Sequence, residues 1–331
     1  MVGQTYVLVA LLQLVAGLVV LFLGGHYLVQ GATRIALLGR ISTTVVGLTM
    51  VAMGTSLPEL AVSVGAAIRG STELAYGNII GSTIFNIGVI LGVAALLAPI
   101  AVKRQTIRLE YPFMFIVAAV VLLLCRDAVI DRLEGSFLLV ALALFTAYVV
   151  HLAKREVIED EVVALDREVK RTANLKRGAG RAWSVNVGLV VIGITALVLG
   201  ADQVVRGAVK MAVFWGVNER TIGLTVVAMG TSLPELATSV VAAKQGEHEI
   251  ALANVIGSNL FNLLGVLGAT ALVLPVSINA AASVDNWVML AFCGAMFPLM
   301  WFGRKVGKLD GAILLVGFAI YMVFLVSTRG P

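Results

Sequence analysis

The sequence predicts an all-α membrane protein of ten transmembrane helices, arranged as two inverted-topology repeats of five helices with broken helices at the centre. Three observations support this prediction. Hydrophobic residues make up 60% of the 331 residues and charged residues only 13%, whereas soluble domains have about 45–50% and about 25%. Ten apolar stretches approach the length of a membrane span, and one long motif occurs in both halves of the chain.

The ten predicted spans follow from hydropathy, since a helix needs about 20 mostly apolar residues to cross a bilayer. The fourth span is the shortest, and it begins at Pro112. The first is too long for a cleaved signal and has no basic segment before it, so we expect it to belong to the fold. The spans cover residues 6–28, 44–68, 76–98, 112–125, 135–152, 184–205, 221–243, 250–274, 286–302 and 309–327.

The spans divide the chain into a first repeat over residues 1–152, a charged loop over 153–183 and a second repeat over 184–331. The loop is too short for a folded regulatory domain. With the N-terminus outside, 17 of the 24 Lys and Arg residues lie in cytoplasmic loops. The positive-inside rule therefore predicts a multi-pass protein of the cell membrane with both termini extracytoplasmic, and it explains the basic residues without a nucleic-acid partner.

The repeat is carried by two motif regions, at about 47–92 and 223–268. LTMVAMGTSLPELA at 48–61 recurs at 224–237 with one difference in fourteen residues, an offset of 176. The same offset aligns GNIIGSTIFNIGVILG with ANVIGSNLFNLLGVLG. Because each half has five spans, an odd number, the second half must enter the membrane from the opposite side, which is the plan of many secondary transporters.

Glu59 and Glu235 are the candidate site residues, because each lies in the middle of an apolar span at equivalent positions of the repeat. A carboxylate at the bilayer centre costs about 2.5–3.5 kcal/mol on insertion scales, so intramembrane acids are functional by default. Pro58 and Pro234 precede them. Proline removes a backbone donor and disturbs the carbonyl four residues earlier, so we expect the second and seventh helices to break and to free carbonyls near Ala52 and Ala228.

Further polar residues recur on helical faces. Asn78, Ser82 and Asn86 are spaced by four on the third span, as are Asn254, Ser258 and Asn262 on the eighth. Thr55, Glu59 and Ser63 form a similar stripe, matched by Thr231, Glu235 and Ser239. For Asn78 and Asn254, hydrogen bonding between helices is an equally good interpretation. Carboxylate, hydroxyl and carbonyl oxygens are the ligands of hard cations, and two glutamates balance either one Ca²⁺ or two monovalent ions or protons.

In each half the motif GTSLPE is followed by GN or AN and then, at fixed spacing, by GS and Asn. With this pattern the chain resembles the cation/calcium exchanger superfamily and is most similar to prokaryotic sodium/calcium exchangers. The resemblance covers everything except the central loop. It implies ten helices, with ions bound between the four central ones, and a sodium/calcium antiporter that works by alternating access. It implies transported Ca²⁺ and Na⁺ in the site, no other cofactor, and a monomer that suffices for function in a lipid bilayer.

Residue by residue, the resemblance implies that Glu59 and Glu235 are shared acidic ligands. It implies that the other ligands are Thr55, Thr231, Ser82, Ser258, Asn86, Asn262 and the carbonyls of Ala52 and Ala228. Several relatives carry an aspartate where this chain has Asn86 or Asn262. With asparagine at both places the site keeps two acids, which argues against potassium co-transport.

Three other functions remain open at this point. In a calcium/proton antiporter, protonation of Glu59 and Glu235 would release calcium. A cation channel is another class, but an inverted repeat with one central acid pair suits alternating access better than an open pore. For an intramembrane enzyme the chain offers no HExxH, GxSxG or Walker motif, so we expect no enzyme activity.

Overall fold

The computed structural model describes residues 2–153, 179–215, 228–278 and 280–329, which form helices and four two-residue strands. The elements of the first half are α1 (Val2–Gly39), α2 (Thr43–Val46), a π-helical turn (Gly47–Val51), α3 (Ala52–Thr55), α4 (Leu57–Ile68), α5 (Thr72–Phe85), a π-helical turn (Asn86–Leu91), α6 (Gly92–Leu97), β1 (Ile100–Ala101), a π-helical turn (Thr106–Glu110), α7 (Tyr111–Leu124), a 3₁₀ turn (Cys125–Asp127), β2 (Val129–Ile130) and α8 (Arg132–Ala153).

The second half repeats this order of elements. Its elements are α9 (Ala179–Phe214), α10 (Ala228–Gly230), α11 (Leu233–Lys244), α12 (His248–Leu260), a π-helical turn (Phe261–Val266), α13 (Leu267–Val273), β3 (Val276–Ser277), α14 (Ala280–Trp301), β4 (Lys305–Val306) and α15 (Lys308–Arg329).

Eight continuous helices within the described residues are long and apolar enough to cross a membrane, and a ninth candidate is a bent pair. The bent pair joins Thr43–Thr55 to Leu57–Ile68 at 46°, which confirms the predicted break in the second helix. The predicted seventh span, 221–243, begins outside the described residues, so ten spans remain a prediction. The predicted 153–183 loop likewise lies mostly outside them.

The fourth span differs from its predicted bounds. The continuous helix covers Thr106–Asp127, starting six residues before Pro112. Arg108 and Glu110 interrupt the apolar pattern of this first part, so hydropathy alone starts the span too late. The main chain nevertheless continues from the π-helical turn directly into α7, with Glu110 only 2% exposed.

Helices α1 and α9 pack against each other in an antiparallel arrangement through glycines. A Cβ atom on Gly17 would lie 2.8 Å from the carbonyl oxygen of Gly200, and one on Gly24 would lie 2.9 Å from that of Gly193. Such distances leave no room for a side chain, as in other close-packed membrane helices. Gly17 is equivalent to Gly193 and Gly24 to Gly200 at the repeat offset, so each contact has a counterpart related by exchange of the two halves.

The short strands connect the two halves at both ends of the helices. Strand β1 pairs antiparallel with β4, with Ile100 opposite Val306, and β2 pairs antiparallel with β3, with Ile130 opposite Val276. Every pairing therefore joins an element of the first half to one of the second.

The core lies around the third and eighth spans. The most apolar window of His248–Val273 is entirely buried and that of Thr72–Leu97 is 78% buried, whereas that of Lys308–Leu325 is 11% buried. The two motif regions therefore form the interior, and the outer helices present apolar side chains to lipid. The buried polar residues of the third and eighth spans therefore face protein and not lipid.

Candidate functional site

The two glutamates stand at equivalent helix starts. Glu59 lies in the first turn of α4 and Glu235 in the first turn of α11, with 0% and 1% of their surfaces exposed. Each helix has proline in its first turn, a position where a missing N–H costs nothing. The positive end of a helix dipole favours a negative side chain there. The break thus creates a local environment for an acid that a continuous helix lacks.

The breaks themselves are alike in both halves. Ser56 separates α3 from α4 with φ −85° and ψ 9°, and Ser232 precedes α11 with φ −90° and ψ 7°. Both conformations lie in the bridge region of backbone space, where active-site residues often occur. The predicted break in the seventh helix is therefore confirmed at Thr231 and Ser232, where the chain forms a turn.

Each glutamate is hydrogen-bonded by the serine of the opposite break. Ser56 Oγ donates to Glu235 Oε1 at 2.8 Å, and Ser232 Oγ donates to Glu59 Oε1 at 2.7 Å. Charge-assisted bonds of this kind are about twice as strong as those between neutral groups. The two broken helices consequently face each other, and both carboxylates belong to one buried cluster.

Two asparagines form hydrogen bonds that connect each broken helix to the span that follows it. Asn78 Nδ2 donates to Ser63 Oγ at 3.0 Å, and Asn254 Nδ2 donates to Ser239 Oγ at 2.9 Å. All four side chains are buried. The interhelical interpretation of Asn78 and Asn254 is therefore the one that the structure supports.

The same asparagines also contact the opposite half. Thr55 Oγ1 lies 3.3 Å from Asn254 Oδ1, and Thr231 Oγ1 lies 3.5 Å from Asn78 Oδ1. Both threonines are buried, with 1% and 8% of their surfaces exposed. The predicted site residues Thr55 and Thr231 thus lie in the cluster with both glutamates, and these two contacts are related by exchange of the two halves.

Ser82 and Ser258 lie in the same region with different partners. Ser82 Oγ is 3.1 Å from Ser232 Oγ, which itself donates to Glu59. Ser258 Oγ is fully buried and has no hydrogen-bond partner among the residues that the structure describes. The two equivalent serines are therefore not bonded symmetrically.

Asn86 and Asn262 lie at the π-helical turns of the third and eighth spans. Such turns occur frequently at functional sites. Asn86 Nδ2 donates to Asn259 Oδ1 at 3.0 Å, while Asn86 Oδ1 and both polar atoms of Asn262 have no partner in the described part of the chain. Both side chains are buried, at 1% and 0% exposure.

Five buried side-chain oxygens without a partner among the described residues lie in this cluster, whereas others, such as Gln13 Oε1 and Asn186 Oδ1, lie elsewhere in the fold. An unsatisfied buried polar atom costs about 1–3 kcal/mol, so five in one cluster indicate a ligand. Two of them are carboxylate oxygens, and all are the hard oxygen donors that Ca²⁺ and Na⁺ prefer. Within the described residues the atoms concerned are Glu59 Oε2, Glu235 Oε2, Asn86 Oδ1, Asn262 Oδ1 and Ser258 Oγ.

Comparison with known proteins agrees with this geometry. The profile of the family described as sodium/calcium exchanger protein matches residues 9–151 and 185–327, which include both motif regions. The chain belongs to the sodium/calcium exchanger family. Members of this family are cation/calcium antiporters, so this exchanger-family protein is a membrane transporter and not an enzyme.

Relatives match the protein over nearly its whole length. CaxA of Alkalimonas amylolytica is 38% identical over 97% of this chain and 100% of its own. The sodium/calcium exchanger MaX1 of Methanosarcina acetivorans is 31% identical over 95% of this chain and 97% of its own. Among solved structures, the sodium-calcium exchanger NCX_Mj soaked with Na⁺ and Sr²⁺ superposes with a TM-score of 0.82, at 28% identity, over 96% of this chain and 98% of the other.

The main-chain part of the predicted site needs a correction. Ala52 O accepts the N–H of Ser56 at 3.0 Å and lies 3.2 Å from Thr55 Oγ1. The expectation that the break leaves this carbonyl free is therefore wrong, because the α-helical bond to Ser56 survives up to the break. Ala228 begins α10, and the role of either carbonyl as an ion ligand stays a prediction.

Ser56 and Ser232 were not predicted as members of the site, although they make the shortest bonds to the glutamates. A signal for them was present, since both occupy the third position before a glutamate and are equivalent in the repeat. What the sequence could not show is that each serine bonds to the glutamate of the other half. Only the packing of the two breaks against each other creates that pairing.

Proposed function

We propose that this exchanger-family protein exchanges sodium for calcium across the cell membrane by alternating access. One observation carries the proposal: the two halves each contribute one buried glutamate to a single cluster, and each glutamate keeps one carboxylate oxygen without a partner. Two ionised glutamates carry a charge of −2, which one Ca²⁺ or two Na⁺ would neutralise. A bare pair of buried carboxylates is costly, so one ion species leaves favourably only as the other arrives.

In this proposal Glu59 and Glu235 are ligands shared by calcium and sodium. Ser258, Asn86 and Asn262 supply further oxygens, consistent with their unpartnered atoms. The hydroxyls of Thr55, Thr231 and Ser82 and the carbonyls of Ala52 and Ala228 complete the site. The NCX_Mj structures were soaked with Na⁺, Ca²⁺ or Sr²⁺, and the likeness of fold supports binding of the same class of ions here.

The proposal includes ten spans arranged as two inverted five-helix repeats. It is supported by the antiparallel contact of the equivalent helices α1 and α9 and by strand pairings that always join opposite halves. Equivalent helices that run antiparallel have opposite orientations in the membrane, as inverted repeats require. Both glutamates come from one chain, so a monomer contains the whole site. In this proposal both termini lie outside, as the distribution of Lys and Arg predicts.

The test is calcium uptake into vesicles containing the purified protein. Sodium-loaded vesicles are diluted into sodium-free buffer with labelled calcium, beside vesicles with equal sodium on both sides and vesicles with an imposed proton gradient. Uptake that requires the outward sodium gradient supports the proposal. Uptake driven by the proton gradient alone would identify a calcium/proton antiporter that uses the same site, because protonation also neutralises two carboxylates. Absence of uptake under both gradients would contradict the proposed cargo.

A further inference from the structure

A cluster of exposed basic residues lies at one end of helices α7, α14 and α15, away from the ion site. We call it the basic rim. Within the residues that the structure describes, none of its members forms an ion pair. Of the acids nearby, Glu110 is buried, and Asp310 accepts the N–H of Gly307 at 2.7 Å. The members of the basic rim are Arg104, Arg108, Arg304, Lys305 and Lys308.

The fold holds the two parts of the basic rim together. Ala101 is paired with Lys305 in the β1–β4 ribbon, and Val102 N donates to Arg304 O at 2.8 Å. The π-helical turn that contains Arg108 packs against α14. The basic charges from the two chain segments therefore form one surface.

An apolar groove between α7 and α14 lies beside the basic rim. Its volume is about 410 Å³, and its walls carry exposed apolar side chains, with Ile116 56% and Phe297 42% exposed. The hydroxyl of Tyr111 donates to Cys293 O at 3.1 Å, so its ring presents only carbon to the groove. The groove is lined by Tyr111, Pro112, Phe115, Ile116, Gly294 and Phe297.

The groove leads to the basic rim at one end. Arg108 precedes Tyr111 by three residues, or about one helical turn. On the other wall, Trp301 follows Phe297 by one turn, and the two rings lie 5.2 Å apart between centroids. Trp301 is 57% exposed, and an exposed tryptophan of this kind is typical of the membrane interface. The apolar groove is therefore complementary to the acyl chain of a phospholipid, and the interfacial and cationic residues at its end are complementary to the headgroup.

The surface that the repeat makes equivalent at the opposite end of the molecule lacks four of the five basic residues. The positions equivalent to Arg104, Arg108, Arg304 and Lys305 are the uncharged Ala280, Val284, Ala128 and Val129, and only Lys308 has a basic equivalent, Arg132. Those equivalent to Gly294 and Phe297 are Ala118 and Val121. The ion site is duplicated between the halves but this surface is not, which separates it from the ion site.

We propose that the groove and the basic rim bind one anionic phospholipid from the adjacent leaflet, with an acyl chain in the groove and the phosphate on Arg108 and Arg304. Guanidinium groups bind phosphate oxygens in a bidentate manner, and basic pockets between membrane helices are suited to anionic headgroups. Basic residues that served only to orient the protein in the membrane would need neither the groove nor their fixed pairing across the β ribbon.

Fluorescence quenching of Trp301 tests the proposal. Trp183, Trp215 and Trp287 are all exposed and are replaced by Phe in the full chain. The protein is placed in phosphatidylcholine vesicles that contain a minor fraction of either brominated phosphatidylglycerol or brominated phosphatidylcholine. Phosphatidylglycerol is expected to quench Trp301 more strongly at equal fraction. Equal quenching by the two lipids would overturn the proposal.

Two substitutions separate the charges from the groove. Arg108→Gln with Arg304→Gln should lower the preference for phosphatidylglycerol by about tenfold, while Arg34→Gln with Arg40→Gln removes two exposed charges elsewhere and should leave it intact. Gly294→Leu keeps every charge but fills the groove, and its Cβ would meet only Phe115 at 3.6 Å, so the protein should fold. This substitution should also reduce the preference for phosphatidylglycerol. An equal loss in both arginine pairs, or full preference in Gly294→Leu, would refute the proposed site.

Discussion

At the level of single residues, Glu59 and Glu235 are held by contacts that satisfy only half of each carboxylate. One oxygen accepts a serine hydroxyl from the other half, and the other oxygen has no partner among the described residues. A glutamate with a purely structural role would be expected to have both oxygens bonded, because unsatisfied buried acceptors are costly. The remaining oxygens are thus available to an ion.

Replacing either acid should stop exchange without unfolding the protein. Glu59→Gln or Glu235→Gln keeps the size of the side chain but removes one of the two charges that balance Ca²⁺, so we expect sodium-driven calcium uptake to fall to background. Glu134→Gln, in the first turn of α8 and away from the cluster, is the matched control. Monodisperse size-exclusion profiles establish that the variants fold. Normal uptake by either site variant would show that the site assignment is wrong.

The serines between the halves should tune the affinity for ions. Ser56→Ala or Ser232→Ala removes a hydrogen bond to a charged group, which contributes about 1.5–3 kcal/mol, and leaves the glutamate free to move out of position. We expect the calcium concentration for half-maximal uptake to rise by about ten- to a hundredfold. Ser136→Ala serves as control, because Ser136 is half-buried and its hydroxyl donates to Arg132 O within its own helix. Unchanged calcium dependence in both site variants would exclude a positioning role.

At the level of elements, the helices that carry the site residues have irregular backbone beside those residues. Breaks at Ser56 and Ser232 place a helix start beside each glutamate, and π-helical turns begin at Asn86 and Phe261. Irregular backbone within a membrane is tolerated only where protein, water or an ion satisfies it. The long helices α1 and α9 supply the rigid support for these interruptions through their glycine contacts.

The glycine contacts between α1 and α9 provide a test of this packing. A Cβ on Gly193 would lie 2.6 Å from Leu28 N, whereas one on Gly188, in the same helix, would meet nothing within 4 Å. Gly193→Ala should therefore lower the melting temperature in detergent, and Gly188→Ala should leave it unchanged or raise it, since alanine favours helix by about 1 kcal/mol. Equal effects of the two substitutions would argue against close contact of the helices.

At the level of the whole molecule, the site exists only where the two halves meet. The serine–glutamate and threonine–asparagine contacts all join one half to the other. Ion binding should therefore stabilise the entire fold and not one half alone, since a ligand that binds only the folded state raises stability in proportion to its occupancy. The two-acid composition of the site also limits which ions can do so.

Heat denaturation of the purified protein should distinguish the bound ions. Calcium and, at higher concentration, sodium should each raise the melting temperature, by an amount equivalent to about 2.7 kcal/mol at a hundred times the dissociation constant. Potassium should have no specific effect in the sodium/calcium exchanger that we propose, which has asparagine at both 86 and 262. The double variant Glu59→Gln, Glu235→Gln should lose the response to calcium. Stabilisation by potassium equal to that by sodium would contradict this view of the site.

The amino-acid sequence alone predicted the membrane environment, the repeat, the two acids and the break in the second helix. These follow from local properties: hydropathy sets the spans, proline and glycine interrupt helices, and a carboxylate in an apolar stretch is costly wherever the chain folds. Local patterns failed where polar residues belong to a span, as at Arg108 and Glu110, and where a helical bond survives up to a break, as at Ala52.

Tertiary structure decided which polar groups meet. Ser56 and Glu235 are separated by 179 residues in sequence, and no periodicity links them. Packing also decides that Asn78 and Asn254 form hydrogen bonds between helices, and that the polar atoms of Asn262 have no partner among the described residues. The chemistry of a residue determines what its side chain can bind. Which of its polar atoms stay without a partner depends on the distances between the two halves, and these are set only when the breaks pack against each other.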